Sequence, residues 1–565
     1  MVEQGAQRAG HPPVVEQRAQ RAGVETSVRD LLLARADDQG DGLLFEDERL
    51  SWAEVVTQGH QRAAALRSLL DDDRPPHVGV LLENTPDFLL TLGAAALGGL
   101  VVVGLNPTRR GAALASDVRR TDCQLVLTDG RHLGDHADLV DALDDVPVVP
   151  VDCPDWTRLI DHHEGAAPHE GPVGPDDLLM LIFTSGTSGD PKAVRVTHAK
   201  VAGPGVMLAE RFGLTGDDTA YLSMPLFHSN AVMAGWAPAL AGGATVALAR
   251  RFSASGFLPD VRRFGATYAN YVGKPLSYVL ATPEDDEDAD NPLRLVFGNE
   301  ANEHAIAEFG RRFDCTVVDS YSSTENAVIV QRQPDMPAGA LGRPLPGVAV
   351  LDPETGLPVP DAVFDDAGRL TNGDEAIGEL VNTTGPGAFA GYYGDPDAEA
   401  ERMRGGMYWS GDLAYRDTDG WVYFAGRTAD WMRVDGENLA AAPLERIWLR
   451  HPAVAQAAVY AVPDPGQLGI GDQLVAALLT DRPLDADEVA RFLDEQPDLP
   501  TKGRPRWIRL LADLDELPRT ATTKVLKREL AAQGAVAGRG RLLEREERGT
   551  AYADITDLAE VLDQV

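Results

Sequence analysis

An apolar run, Leu181-Ile182-Phe183, leads into Thr184-Ser185-Gly186-Thr187-Ser188-Gly189-Asp190-Pro191-Lys192, and these residue types in this order suit phosphate binding. Glycines let backbone N–H groups approach the oxygens, hydroxyls add donors, and the lysine adds charge. The spacing is not that of a Walker A loop, G-x-x-x-x-G-K-[ST]. A polar surface turn is the alternative reading of the same stretch. Taken singly, the other candidates have ordinary explanations too. Glu325 reads as a solvated helix-start carboxylate, Asp412 as an N-cap or turn residue, and Lys524 as one basic residue beside Lys527 and Arg528. His228, next to Phe227, reads either as a satisfied core histidine or as a group between an acid pocket and a phosphate. His162-His163-Glu164 has metal-ligating types, but it sits in a polar loop without partners at ligand spacing, so no metal site is assigned there.

The order of the candidates along the chain changes their weight. After the loop come Phe227-His228, Gly298-Asn299-Glu300, Tyr321-Ser322-Ser323-Thr324-Glu325 preceded by Asp319-Ser320, and Tyr408-Trp409-Ser410-Gly411-Asp412. Beyond these stand Gly426-Arg427, Gly436-Glu437-Asn438 and Pro518-Arg519-Thr520-Ala521-Thr522-Thr523-Lys524. With these motifs in this order the sequence resembles the adenylate-forming superfamily of acyl-CoA synthetases, luciferases and nonribosomal-peptide adenylation domains.

That resemblance implies an ATP-dependent ligase that activates an organic acid as its AMP ester, releases pyrophosphate and passes the acyl group to coenzyme A. It implies that the loop from Thr184 to Lys192 holds the β- and γ-phosphates, that Tyr321 stacks on adenine and that Thr324 meets phosphate. Glu325, with Thr184, is implied as the Mg²⁺ site, since Mg²⁺ favours carboxylate plus phosphate oxygens. Asp412 is implied to accept from both ribose hydroxyls with Arg427 in support. Lys524 is implied to reach between the acid and the α-phosphate. Gly298, Asn299, Glu300, Asp319, Ser320, Ser322 and Ser323 fall among the nucleotide- and acid-binding motifs, and Arg433 with Gly436 on the coenzyme A side. A carboxylate is already ionised at pH 7, so such a site needs positioning and electrostatics more than a general base. Lys524 and the Arg433–Asn438 segment are assigned to different half-reactions on one small domain, which implies a swing about a hinge after Arg427.

The sequence departs from the family pattern at Ala429, where Asp or Lys is usual in the hinge, at Arg433, at Ser322 and at Thr523. Arg433-Val434-Asp435-Gly436-Glu437-Asn438 and Asn270-Tyr271-Val272-Gly273-Lys274 look like the branch of bacterial long-chain acyl-CoA synthetases and fatty-acid transport proteins. Other outcomes stay open: loading of a separate carrier protein, ATP-dependent activation of nitrite for diazotisation of an aryl amine, or a non-catalytic nucleotide-binding scaffold.

The elements that must position these residues alternate. Short apolar runs at Val78–Leu82, Val101–Val103 and Leu125–Leu127 are separated by helical patterns after Pro86 and after Arg110, the rhythm of a parallel sheet flanked by helices. It recurs at Thr219–Leu222, Ala244–Leu248, Leu293–Phe297 and Thr316–Val318. The fold class expected is α/β, a large N-terminal domain of helix-flanked sheets (residues 26–427) plus a small mobile α+β domain (428–535). Residues 1–25 are expected as a disordered tail, and 536–565 as a loosely attached tail ending in an acidic helix. The small domain is expected to hold a helix at Pro443–Leu449, strands at Val454–Val462 and Gln473–Leu479, a helix at Ala486–Asp494 and a helical end over Lys524–Leu530. Phe88 to Leu105 has the length of a membrane span, but Gly98-Gly99 divides it into a helix and a β-branched strand, so no integral membrane segment is expected.

Composition narrows the partners. The chain has 565 residues, 88 acidic against 51 basic, for a formal charge of −37, which repels nucleic acid and anionic lipid alike. Cys123, Cys153 and Cys315 are few and scattered, as expected of a cytoplasmic protein and not of a disulfide or zinc framework.

Overall fold

The computed structural model describes residues 26–555 apart from 144, 185–190, 302, 334, 366–369, 428–430, 435–436, 464–471, 497–498, 512, 514–515, 520–524, 535–540 and 546–548. The chain forms two compact units, Met1–Asp319 with Ala388–Glu399, and Ser320–Gly387 with Ala400–Val565.

The first unit carries two largely parallel sheets. One runs in the order Val148–Pro150, Leu125–Thr128, His77–Val80, Val101–Gly104, Leu178–Thr184, Lys192–Thr197, parallel except for its last, antiparallel pair. The other runs Thr316–Ser320, Leu295–Asn299, Tyr268–Val272, Thr219–Leu222, Thr245–Leu248, Asp41–Phe45, Glu48–Ser51. The alternation expected from the apolar runs is therefore present in both. The stretch of membrane-span length resolves as the sequence suggests. A helix Pro86–Gly98 starts with proline in its first turn and ends on left-handed Gly99, and a strand comes next at Val101–Gly104. Every residue from Phe88 to Gly98 is buried, so the apolar run on all faces of this helix is explained by packing inside the protein. Among the described residues no helix is long and apolar enough to cross a membrane.

The second unit opens with an antiparallel seven-stranded sheet: Val330–Gln331, Ala340–Pro344, Val422–Arg427, Met407–Arg416, Gly378–Asn382 and Val348–Leu351, with Met403–Arg404 paired to Met407–Arg416. This sheet ends at Arg427, and the next element is a hairpin, Trp431–Val434/Glu437–Ala440. The change of sheet stands near residue 428, yet residues 320–387 and 400–427 belong to the same compact unit as residues 428–565. One physical link is Arg446, on the helix Ala441–Trp448, which donates to Phe424 O at 2.9 Å. A five-stranded sheet completes the unit: Val454–Pro463, Asp472–Thr480, Trp507–Leu511, Arg541–Arg545, Tyr552–Asp554. Helices Ala486–Asp494 and Lys527–Gln533 accompany it.

Two of those strands correct the sequence expectation of a loose tail. Arg541–Arg545 pairs with Trp507–Leu511, and Leu542, Leu543 and Tyr552 are buried in the core of this sheet. Leu542 and Leu543 point to opposite faces of the strand, each into a separate core cluster, and burial on both faces fixes the segment. The expected N-terminal tail and the terminal acidic helix lie outside the described residues, as does Ala429.

Candidate active site

The loop residues Ser185, Gly186, Thr187, Ser188 and Gly189 lie outside the described residues, as do Gly436 and Lys524; for Arg433 only its place in the hairpin is described. The frame of the loop is described. Thr184 and Lys192 are register partners across the antiparallel pair, so both ends of the loop are tied together by the sheet. Lys192 is only 5% exposed, and its Nζ lies 5.4 Å from the centre of the Tyr392 ring. Behind it Arg120, paired with buried Asp117 at 2.7 Å, donates to Pro191 O and lies over the Phe183 ring at 4.9 Å. The segment after Gly391 closes on the return strand, with Arg195 N donating to Gly391 O at 3.0 Å and Tyr393 N to Ala193 O at 2.8 Å. A buried cation at the end of a rigidly held hairpin is a device for gripping anionic oxygens.

A second cluster in the same unit surrounds His228. This histidine is half-buried beside Phe227, ring centroids 4.3 Å apart, and burial lowers its pKa to about 4, so it is a neutral imidazole near pH 7. Its Nε2 has no hydrogen-bond partner among the described residues. Directly after it runs a π-helix, Asn230–Trp236, a form concentrated at functional sites. Polar contacts bolt this turn to the strand Tyr268–Val272. Asn230 Nδ2 donates to Tyr271 O at 2.8 Å and more weakly to Asn299 Oδ1 at 3.4 Å; Asn270 Nδ2 donates to Asn230 Oδ1 at 2.7 Å; Tyr268 OH donates to Ala234 O. Asn299 belongs to the Gly298-Asn299-Glu300 motif, so the histidine segment and that motif share one buried network. Gly298 must be glycine, since a Cβ there would stand 2.1 Å from Tyr271 O. Glu300 takes a left-handed φ of 67°, turning the chain at the strand end. Asp319 Oδ2 accepts from Tyr271 OH at 2.6 Å and from Ala301 N at 3.0 Å, fixing the ends of neighbouring strands.

In the second unit Tyr321, Asp412 and Arg427 come together. Tyr321 OH donates to Asp412 Oδ2 at 2.6 Å, and Arg427 Nε stands 3.4 Å from Asp412 Oδ1. Asp412 and Arg427 are register partners on adjacent strands, so the sheet fixes their distance. Burial, and then the Asp412 carboxylate, push the Tyr321 phenol well above its usual value, keeping it a neutral donor. Asp412 is therefore a strand residue, neither an N-cap nor in a simple turn. Ser322, Ser323, Thr324 and Glu325 succeed Tyr321 in a short turn, in which Asn326 N donates to Ser323 O at 3.0 Å and Asn326 takes φ of 52°. Glu325 lies half-buried there and starts no helix.

Sequence reasoning passed over the strand residues that follow Lys192, the contacts made by Asn230, and Glu379. The signal for Asn230 was its place two residues after His228; Glu379 carried none, because its role depends on a strand pairing that no local pattern announces. Among the described residues no group of three or more His, Cys, Asp or Glu side chains gathers into a metal cluster.

Residues 19–393 match the family model of AMP-binding enzyme, and residues 444–524 that of AMP-binding enzyme C-terminal domain. Over 511 residues, 90% of this chain and 96% of the relative, the sequence is 55% identical to a medium/long-chain-fatty-acid–CoA ligase, FadD17, of Mycobacterium tuberculosis. It is 48% identical to a steroid-22-oyl-CoA synthetase of Rhodococcus jostii, over 90% of this chain and 91% of the relative. The fold superposes on crystalline ATP-bound MatB from Rhodopseudomonas palustris with a TM-score of 0.76, covering 90% of this chain and 99% of that one at 23% identity, a likeness of fold alone.

Proposed function

This chain belongs to the AMP-binding enzyme family of adenylate-forming acyl-CoA synthetases, and we propose that the acid it activates is a large apolar carboxylate, a medium- or long-chain fatty acid or a steroid side-chain acid. The reaction is ATP-dependent activation of an acid to acyl-AMP followed by transfer to coenzyme A. The substrate proposal is supported by the activities for which the two relatives at 55% and 48% identity are named, whose acids share bulk and apolarity. The relatives favour coenzyme A as acceptor over a carrier protein or nitrite chemistry. The buried, mostly apolar turn Asn230–Trp236, with Ala231, Val232, Ala234 and Gly235, supplies the type of wall such an acid needs.

In this reading the carboxylate oxygen attacks the α-phosphorus of ATP, the α–β anhydride bond breaks, and pyrophosphate leaves. The coenzyme A thiolate then attacks the acyl carbon and AMP leaves. Lys192 and the loop from Thr184 hold the phosphates, supported by the register pairing that ties the loop ends. Tyr321 lies against adenine, Asp412 and Arg427 take the ribose, and Thr324 meets phosphate. Lys524 neutralises charge between acid and α-phosphate, and neutral His228 lies on the acid side, where an uncharged ring does not hold the carboxylate back. Arg433 and Gly436 serve the coenzyme A step. Since Lys524 and Arg433 serve different half-reactions, the block 428–535 changes its presentation between them.

In this reading Glu325 and Thr184 would hold Mg²⁺: the ion is commonly held by one or two carboxylates plus substrate phosphates, so a cluster of ligating side chains is not needed. When bound, it spreads the charge of the phosphates as pyrophosphate departs. A cytosolic location is supported by the three cysteines, none of which is in a disulfide.

Pyrophosphate release measured with laurate, palmitate, a steroid-22-oate, benzoate and malonate, with and without coenzyme A, tests the substrate reading. Fatty or steroid acids should give the highest kcat/KM, and a preference for benzoate or malonate would refute it.

A further inference from the structure

Against the strand Gly378–Asn382, the strand Met407–Arg416 is irregular. Trp409 pairs with Val381 and Leu413 with Glu379, so Ser410, Gly411 and Asp412 stand opposite Leu380 alone. A bulge of this kind leaves backbone groups without ladder partners and re-aims the side chains within it. Side chains meet the released groups. Asp412 N donates to Ser410 Oγ at 3.0 Å, and Ser410 Oγ donates to Leu380 O at 2.6 Å. Gly411 N donates to Glu379 Oε1 at 2.6 Å. Gly411 takes φ of 75°, and a Cβ there would fall 2.2 Å from Arg402 Nη1, so the bulge admits no other residue without a shift.

Glu379 is the unusual member of this arrangement. Its side chain is 5% exposed, and its second oxygen accepts from Arg404 Nη2 at 3.0 Å. Arg404 in turn lies over the Trp409 ring at 3.9 Å, and Trp409 Nε1 donates to Arg404 O at 3.2 Å. Burying a carboxylate is unfavourable unless its oxygens are well matched, and a hydrophobic pair often serves stability as well. Here both oxygens are matched, one of them to the amide that immediately precedes Asp412. A charged acceptor makes a shorter and stronger bond to a backbone N–H than a neutral one, which suits holding one amide in a left-handed turn outside the strand ladder.

We propose that Glu379, braced by Arg404, is a positioning residue for nucleotide binding: by holding the Gly411 amide it fixes the bulge that aims Asp412 at the ribose hydroxyls of ATP. The proposal rests on the reading of Asp412 as the ribose acceptor.

The test uses the full chain without acid and compares calorimetric binding of ATP and 2′,3′-dideoxy-ATP in the wild type, Glu379→Ala, Glu379→Gln and Asp412→Ala. If Glu379 acts through Asp412, its loss and the loss of the ribose hydroxyls are not additive. Glu379→Ala then weakens ATP about tenfold or more yet leaves dideoxy-ATP within about twofold of wild type. Glu379→Gln falls between, since an amide satisfies one of the two contacts but not both. Should Glu379→Ala fail to fold, the same comparison on Glu379→Gln carries the test, with a smaller but still hydroxyl-dependent loss. If the Glu379 variants weaken both nucleotides equally while Asp412→Ala discriminates between them, the proposal is overturned and the reading of Asp412 stands. If Asp412→Ala does not discriminate either, the reading of Asp412 is wrong and the proposal falls with it.

Discussion

The hydroxyl of Tyr321 and the carboxylate of Asp412 lie 2.6 Å apart across 91 residues of sequence, and Arg427 stands on the other oxygen of the same carboxylate. The donor sets the direction of the carboxylate before any nucleotide arrives. Tyr321→Phe removes that donor and keeps the aromatic face. It should raise the KM for ATP by about two- to tenfold, equivalent to about 0.5–1.5 kcal/mol, because the bond orients Asp412 and does not itself touch the nucleotide. Tyr321→Ala also removes the stacking surface, worth about 1–3 kcal/mol per base. Steady-state kinetics at saturating acid distinguishes the two: an unchanged KM in Tyr321→Phe would show that the hydroxyl contributes nothing to ATP binding, and equal effects from both variants would show that the ring adds nothing beyond it.

The pairing of Tyr321 with Asp412 also shows what the sequence alone conveyed. Strands such as Val101–Gly104 were legible because β-branched runs bounded by Gly99 and the helix after Pro86 carry a local signal. The sheet that holds Asp412 beside Arg427 was not. Its strands are separated by turn-rich sequence, and their pairing is set by packing between distant segments. Arg541–Arg545 was misread for the same reason: a charged segment becomes a strand only because Leu542 and Leu543 find a buried sheet. The motif residues were legible by type and order, while the side chains that orient them, Asn230 and Glu379, became visible only through contacts.

Asn230 joins the π-helix to two strands, and its removal is costly in a specific way. Asn230→Ala deprives Tyr271 O of a donor and Asn270 Nδ2 of an acceptor within a buried region. A buried polar group left unsatisfied costs about 1–3 kcal/mol. Thermal unfolding should therefore begin several degrees lower. The KM for the acid should rise more than the KM for ATP, because the turn sits on the acid side in the proposed reading. A drop in stability with both KM values unchanged would confine Asn230 to the fold.

Lys524→Ala should cripple adenylate formation while sparing thioester formation from supplied acyl-AMP. Loss of one preorganised charge at a developing transition state lowers the rate by about 10²–10³. Single-turnover assays of the two half-reactions measure this directly, and adenylate formation at the wild-type rate would remove Lys524 from that role.

Glu325→Gln keeps the shape of the side chain and removes its charge. A hard cation loses its carboxylate ligand, so the Mg²⁺ concentration giving half-maximal pyrophosphate release should rise and maximal turnover should fall. Titration of Mg²⁺ at fixed ATP provides the measurement; an unchanged midpoint would return Glu325 to a solvated turn residue.

Acid should weaken the fold through one buried histidine. His198, the first residue of the helix His198–Phe212, is fully buried, and neither ring nitrogen meets a hydrogen-bond partner among the described residues. Burial lowers its pKa from 6.5 to about 4; Asp177 and Asp30 oppose that shift and Arg29 adds to it. The unfolded chain therefore takes up a proton near pH 6.5 that the folded chain refuses until about pH 4. A folded-state value below the unfolded one means that stability is fully present above about pH 6.5 and is lost as pH falls through this window. Between pH 7 and 4.5 the loss from this one group is about 2–3 kcal/mol. His198→Leu removes the proton linkage and keeps an apolar side chain of similar size, while the contact from His198 N to Asp177 O is a backbone one and remains. The stability of the variant relative to wild type should therefore improve steadily as pH falls from about 7 to 4.5, whatever its offset at neutral pH. His228 and the other buried histidines are shared by both proteins and cancel in the difference. Denaturant unfolding at about pH 7, 6, 5 and 4.5 gives the slope, and a difference independent of pH would show that His198 does not carry the linkage.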